Sequence, residues 1–180
     1  MNSISIVIPS GVRFGLNHRS INRGPLRGGG VMGEPVKVQF ARIADGAEAP
    51  TRGSQLAAGW DLRSLQETVV SSGSSSRVRT GLKVAIPAGY EGQVRARSSL
   101  ASKGLILPNA PGTIDADYRG ELMVLLTWIG EGESYTIPAG ERIAQLIIAP
   151  VPQVEFIEVS EEELSDTERG EGGFGSTGRF

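Results

Sequence analysis

With 180 residues and a net charge of −2, the chain is sized for one domain with tails, and its overall field argues against a general nucleic-acid or membrane binder. The absence of cysteine excludes disulfides, zinc–thiolate sites and thiol catalysis, and the single histidine, His18, lies in the N-terminal stretch, which excludes a Ser–His triad in the core. No apolar run is long enough to span a membrane, and 25 glycines with 10 scattered prolines favour short strands and tight turns over long helices.

Residues 1–33 stand apart. They contain no acidic residue, carry Arg13, Arg19, Arg23 and Arg27, and run into Gly28-Gly29-Gly30. Three readings are open: an organelle transit peptide, a basic disordered arm, or translated leader ahead of a true start at Met32. The last is favoured, because glycine codons are G-rich like a ribosome-binding site and the globular pattern begins only at Pro35. A core over 34–159 and a linker with a C-terminal arm over 160–180 complete the expected organisation.

The spacing predicts a first strand over 36–43, with Val36, Val38 and Phe40 opposite Lys37 and Gln39. A second begins in 57–64, where Asp61 among small and apolar neighbours needs a partner if buried. It either faces a cleft, as a ligand for metal or water, or caps a turn. Residues 68–72 and 77–86 read as a hairpin, and 93–97 lead into the central block.

That block has three parts. Residues 98–104 read as a short helix capped by Ser98 or Ser99 and stopped by Gly104, with Arg97 beside its start. The group is either a phosphate site or an ordinary capped helix. Residues 112–121 read as a turn-rich hairpin bearing Asp115 and Asp117, whose side chains would oppose Ile114 and Ala116 in an extended backbone. A carboxylate held there could activate water or hold a hydrated metal; a solvated tip is the plain alternative. Residues 122–129 are apolar on both faces and so predict a strand buried on both sides, in a sandwich core or against another subunit.

A turn over 130–134 then leads to 135–137, expected to pair back, and to the apolar strand 142–150, where Gln145 must find hydrogen bonds if buried. A last strand over 151–159, interrupted by Pro152, precedes an acidic linker. The segment from Arg169 to Phe180 is too rich in glycine to build a core, yet offers arginines, phenylalanine and hydroxyls to a ligand.

Five blocks occur in order: Ala58-Gly59-Trp60-Asp61-Leu62; Arg97-Ser98-Ser99-Leu100-Ala101; 109–121 with Gly112-Thr113-Ile114-Asp115-Ala116-Asp117-Tyr118-Arg119-Gly120-Glu121; Gly140-Glu141-Arg142-Ile143-Ala144-Gln145-Leu146; and Arg169-Gly170-Glu171-Gly172-Gly173-Phe174-Gly175-Ser176-Thr177-Gly178. Together they make the chain resemble the trimeric dUTP pyrophosphatases (dUTPases) over residues 35–180. The resemblance implies an all-β fold, a distorted jelly-roll barrel or sandwich, assembled as a homotrimer with a flexible glycine-rich arm and active sites at subunit boundaries. It implies Mg²⁺-assisted hydrolysis of dUTP to dUMP and pyrophosphate in the cytoplasm, with no direct nucleic-acid or membrane partner.

By the same resemblance, Asp115 is the base that orients water on the α-phosphorus, and Tyr118 stacks under the deoxyribose. Asn109, Thr113 and Ile114 read the uracil beside Met123. Arg97, Ser98, Ser99 and Gln145 hold phosphates, and Asp61 holds hydrated Mg²⁺. From the arm, Phe174 covers the uracil while Arg169, Ser176 and Thr177 clamp the γ-phosphate.

Three positions depart from the family pattern: Trp60 replaces a usual tyrosine, Trp128 stands near a usual asparagine, and Ser99 replaces a usual glycine. Arg-Ser-Ser is the pattern of the sister dCTP deaminases, which makes deamination one alternative. Those enzymes carry a catalytic glutamate in the strand after the hairpin, where this chain has Leu125, and lack the full arm. A catalytically silent trimer that binds dUTP as a regulator is the other alternative.

Overall fold

The computed structural model describes residues 34–173; the N-terminal extension and the arm residues Phe174, Ser176 and Thr177 lie outside them. Among the described residues there are eleven strands, all in the unit Val36–Phe180, and a single turn of α-helix. In chain order the strands are β1 (Gln39–Arg42), β2 (Trp60–Arg63), β3 (Thr68–Ser71), β4 (Ser75–Arg79), β5 (Leu82–Ala85), β6 (Tyr90–Ala96), β7 (Leu105–Ile106), β8 (Gly112–Ile114), β9 (Met123–Trp128), β10 (Ser134–Ile137) and β11 (Arg142–Pro150), with α1 (Ser98–Ala101) after β6. No helix of the described residues is long and apolar enough to cross a membrane.

The pairing explains why the strands are short. β4 pairs with β9, β3 with β10 and β2 with β11, all antiparallel. These pairs are nested, as in one long ribbon doubled on itself and rolled up, which is the jelly-roll arrangement. β6 lies on the other edge of β11 and carries β8, giving a four-stranded sheet in the order β2-β11-β6-β8. The core sits inside the roll, where Leu62, Val70, Val78, Leu122, Val124, Leu126 and Ile137 are fully buried.

Four expectations change. Residues 68–72 and 77–86 are not a hairpin, because β3 and β4 bond to different partners. The expected strand 77–86 breaks at Thr80-Gly81, where Gly81 takes φ +68° and the chain turns a corner from β4 into β5. An added Cβ there would lie 2.8 Å from the Ala47 Cβ, so the corner tolerates only glycine. Residues 135–137 pair with β3, not back onto β9. Residues 151–159 form no strand: the chain offers them no partner strand, and Val154, Phe156 and Ile157 stand exposed.

β9 is also not buried on both sides. Val124, Leu126 and Trp128 point into the core, whereas Met123 is exposed and Leu125 half-buried. Its second apolar face is the wall of a cavity. At the inner end the Trp128 ring lies 5.1 Å from that of Tyr135 and its Nε1 donates to the Glu131 and Gly132 carbonyls. Gly130 leaves room for that ring, since a Cβ would come within 2.4 Å of it. The tryptophan at 128 is thus a packing element.

Tyr135 donates to Glu141 Oε1 at 3.3 Å, and burial, then the Glu141 charge and this bond, raise its pKa above the ordinary 10.0. A raised folded-state value gives stability that is intact below the unfolded pKa and lost as pH climbs through the folded one. Stability followed by denaturant titration should therefore show an alkaline decline above about pH 10 that Tyr135→Phe diminishes; an identical alkaline slope in the variant would contradict this coupling.

Candidate active site

The segment 112–121 is not the expected hairpin: β8 and β9 bond to different partners in different sheets, and the loop that joins them is built from glycine and carboxylate chemistry. At its base Gly112 pairs with Val94, and an added Cβ would stand 3.1 Å from Asn109 Nδ2, so the missing side chain seats Asn109. The Ala110–Pro111 peptide is cis. β8 ends at Ile114, and the chain then turns, with the Tyr118 amide donating to the Asp115 carbonyl. This turn overrides the expected alternation: Ile114 and Asp115 line the same cavity, while Asp117 stays outside it.

Tyr118 folds back over Gly120, where a Cβ would sit 2.3 Å from its hydroxyl, and the hydroxyl donates to the Glu121 carbonyl at 3.0 Å. Between this loop and the outward face of β4 and β9 lies a cavity of about 280 Å³. Thr113, Ile114, Asp115, Tyr118 and Met123 line it, as do Arg77, Glu121 and Leu125. The last three were missed as site residues. A period-two reading of 75–79 against 123–127 would have put Arg77 and Leu125 on one face, and the ladder pairs those two residues.

A second polar cluster lies elsewhere. Asp61 on β2 has a side chain only 13% exposed, and it meets Arg97 Nε and Arg142 Nη1, each at 3.1 Å. Arg97 also donates to the Arg142 carbonyl. Gln145 donates to the Ala96 carbonyl at 3.0 Å and lies over Gly59, whose Cβ would fall 2.2 Å from Oε1. The partner that a half-buried aspartate required is therefore a pair of guanidiniums, and the trio retains a net positive charge. Ser98 and Ser99 are exposed in the single turn of α1; Arg97, not a serine, takes the N-cap position, and no side chain caps it.

These two clusters do not meet in one chain. β2, which carries Asp61, and β8 are opposite edges of the four-stranded sheet, about 14 Å apart at three strand spacings, and Arg97 follows the end of β6 that leads away from Asp115, since Gly92 pairs with Ile114 and Val94 with Gly112. Arg169, farther along, is exposed and bonds to Gly172 in its own turn. Among the described residues no three acidic or histidine side chains gather to hold a metal ion.

The sequence profile of the dUTPase family matches residues 45–178. The chain belongs to the dUTPase family. A deoxyuridine 5′-triphosphate nucleotidohydrolase of Zymomonas mobilis is 50% identical over 146 residues, which covers 79% of this chain and 98% of that protein. One from Nautilia profundicola is 49% identical over 145 residues, covering 80% and 100%. Among solved structures, a mutant dUTPase of Staphylococcus bacteriophage 80alpha with dUpNHpp superposes at a TM-score of 0.69 with 33% identity, covering 79% of this chain and 98% of the other. A mutant dUTPase of phage phi11, described for its coordination of a structural Mg(II) ion, gives 0.64 and 26% over 71% and 99%.

The Asp61 trio should support the fold as well as carry charge. Replacing Asp61 by alanine leaves two guanidiniums facing each other, and urea denaturation should show a loss of about 1–3 kcal/mol; unchanged stability would mean that the trio is held by other contacts.

Proposed function

We propose that the chain hydrolyses dUTP to dUMP and pyrophosphate. The observation that supports this best is the cavity that joins Asp115, Tyr118 and Met123 to the Thr113–Ile114 backbone, in a chain of the dUTPase family. Uracil lies against the backbone of 113–115 with Asn109 at the base of the loop, and the deoxyribose lies on the Tyr118 ring, which leaves no space for a 2′-hydroxyl. Asp115 accepts a proton from water as its oxygen attacks the α-phosphorus. The bond from that phosphorus to the α,β-bridging oxygen breaks, and pyrophosphate leaves.

The phosphates are held by the second cluster. Arg97 and Arg142 supply charge that the acidic protein lacks overall, with Ser98, Ser99 and Gln145 as hydrogen-bonding groups. Mg²⁺ on the triphosphate fits this donor set: both Asp61 oxygens already accept from arginines, so the aspartate suits contact through water. When bound, the ion neutralises charge on the leaving pyrophosphate. Phe174 covering the base and Arg169, Ser176 and Thr177 on the γ-phosphate complete the assignment.

Because Asp61 lies at the far sheet edge and Arg97 at the far end of β6 from Asp115, one triphosphate needs the cavity of one subunit and the arginines of another. A homotrimer supplies this. Exposed Phe40 and Trp60, and the unpaired apolar segment 151–159, offer it surface to bury. Deamination gains no support, since Leu125 contributes no acid to the cavity.

The direct test is product analysis with dUTP, dCTP, dTTP and UTP, with and without Mg²⁺. Pyrophosphate from dUTP alone is expected; ammonia from dCTP would overturn the reading. Asp115→Asn should lower turnover about 10²–10⁴-fold while dUTP binding persists, and unchanged turnover would remove Asp115 from its role.

A further inference from the structure

The carboxylate of Glu121, at the end of the loop that carries Asp115, is anchored on the corner between β4 and β5. It is only 16% exposed and accepts from Arg79 Nε, bifurcated across both oxygens at 3.1 and 3.0 Å, and from the Gly81 amide at 2.9 Å. The next residue is bolted to the same corner, for the Leu122 amide donates to the Leu82 carbonyl at 2.7 Å and Thr80 Oγ1 donates to the Leu122 carbonyl. On its other side, Glu121 presents its own carbonyl to the Tyr118 hydroxyl. That is the phenol's one hydrogen bond among the described residues, and the ring is 39% exposed, so core packing does not fix it.

We propose that Glu121 is a positioning residue for sugar discrimination, referencing the Tyr118 ring to the rigid corner at Arg79–Gly81. The inference rests on the reading of Tyr118 as the floor of the deoxyribose site. A phenol free to tilt would open the space that a 2′-hydroxyl needs. Arg79 contributes through Glu121 and touches no substrate. Since its guanidinium is 44% exposed, the ion pair adds little to global stability. Orientation and stability should therefore separate.

The experiment compares kcat/KM for dUTP and UTP, together with melting temperature, in the full chain and in Glu121→Ala, Glu121→Gln, Arg79→Ala and Tyr118→Phe. Glu121→Ala should lower the dUTP/UTP preference by about tenfold or more. Glu121→Gln, which keeps an acceptor for Gly81, should restore part of it. Tyr118→Phe should shift the preference in the same direction, and combining it with Glu121→Ala should add little further. An undiminished preference in folded Glu121→Ala overturns the positioning role. Should that variant fail to fold, an undiminished preference in both Arg79→Ala and Tyr118→Phe overturns it equally. A wild-type chain that hydrolyses neither nucleotide overturns instead the reading of the cavity as a nucleotide site.

Discussion

The corner between β4 and β5 is the constraint on which the rest of the site depends. The strand that begins as β4 in one sheet continues as β5 in another, and only Gly81 at positive φ permits the change. This turn brings Leu82 to Leu122, Thr80 to the Leu122 carbonyl and the Gly81 amide to Glu121. The loop that bears Asp115 is therefore tied down at the end where β9 starts, and its other end is paired into the four-stranded sheet through Gly112–Ile114. Between two fixed ends, a loop of mostly exposed residues can hold a carboxylate in one place. Catalytic groups carried on such supports are positioned better than on free tips.

Charge follows the same logic of local supply. The chain is acidic overall, so an anionic substrate gains nothing from the distant field. Asp61 holds Arg97 and Arg142 side by side, and the resulting excess of one positive charge is concentrated where phosphates would bind. The aspartate thus has two uses, as a spacer between arginines and as a carboxylate near a hydrated cation. The base- and sugar-binding features are by contrast steric: backbone edges, a ring lying over Gly120, and an apolar strand face.

Much of this was legible in the sequence, and the failures share one cause. Alternation over 36–43 marks the place of β1, an apolar run marks β11, and glycines mark the turns. Asp61 and Gln145 could each be named because a polar group among apolar neighbours needs a partner, and Arg97 because it stands beside the start of a serine-led turn. What the residues cannot reveal is which strand pairs with which. In a rolled ribbon, neighbours in space are far apart in the chain, so β3 and β4 look like a hairpin and are not. The two apolar faces of β9 looked like double burial, yet Met123 and Leu125 serve a cavity. Residues 151–159 carry a strand pattern for which one chain provides no partner. Arg77 and Glu121 escaped notice as site residues because only the β4–β9 ladder and the β4–β5 corner bring them to the cavity.

The central claim is that Asp115 faces a water aligned behind the α-phosphorus of a uracil nucleotide lodged against Tyr118. A crystal structure of the full chain with Mg²⁺ and a non-hydrolysable imido analogue of dUTP tests it most directly. The account predicts uracil against the 113–115 backbone, the sugar on the Tyr118 ring, and an Asp115 oxygen bonded to an in-line water. An Asp115 side chain turned away from the nucleotide, or a nucleotide bound outside the Asp115 cavity, would contradict it.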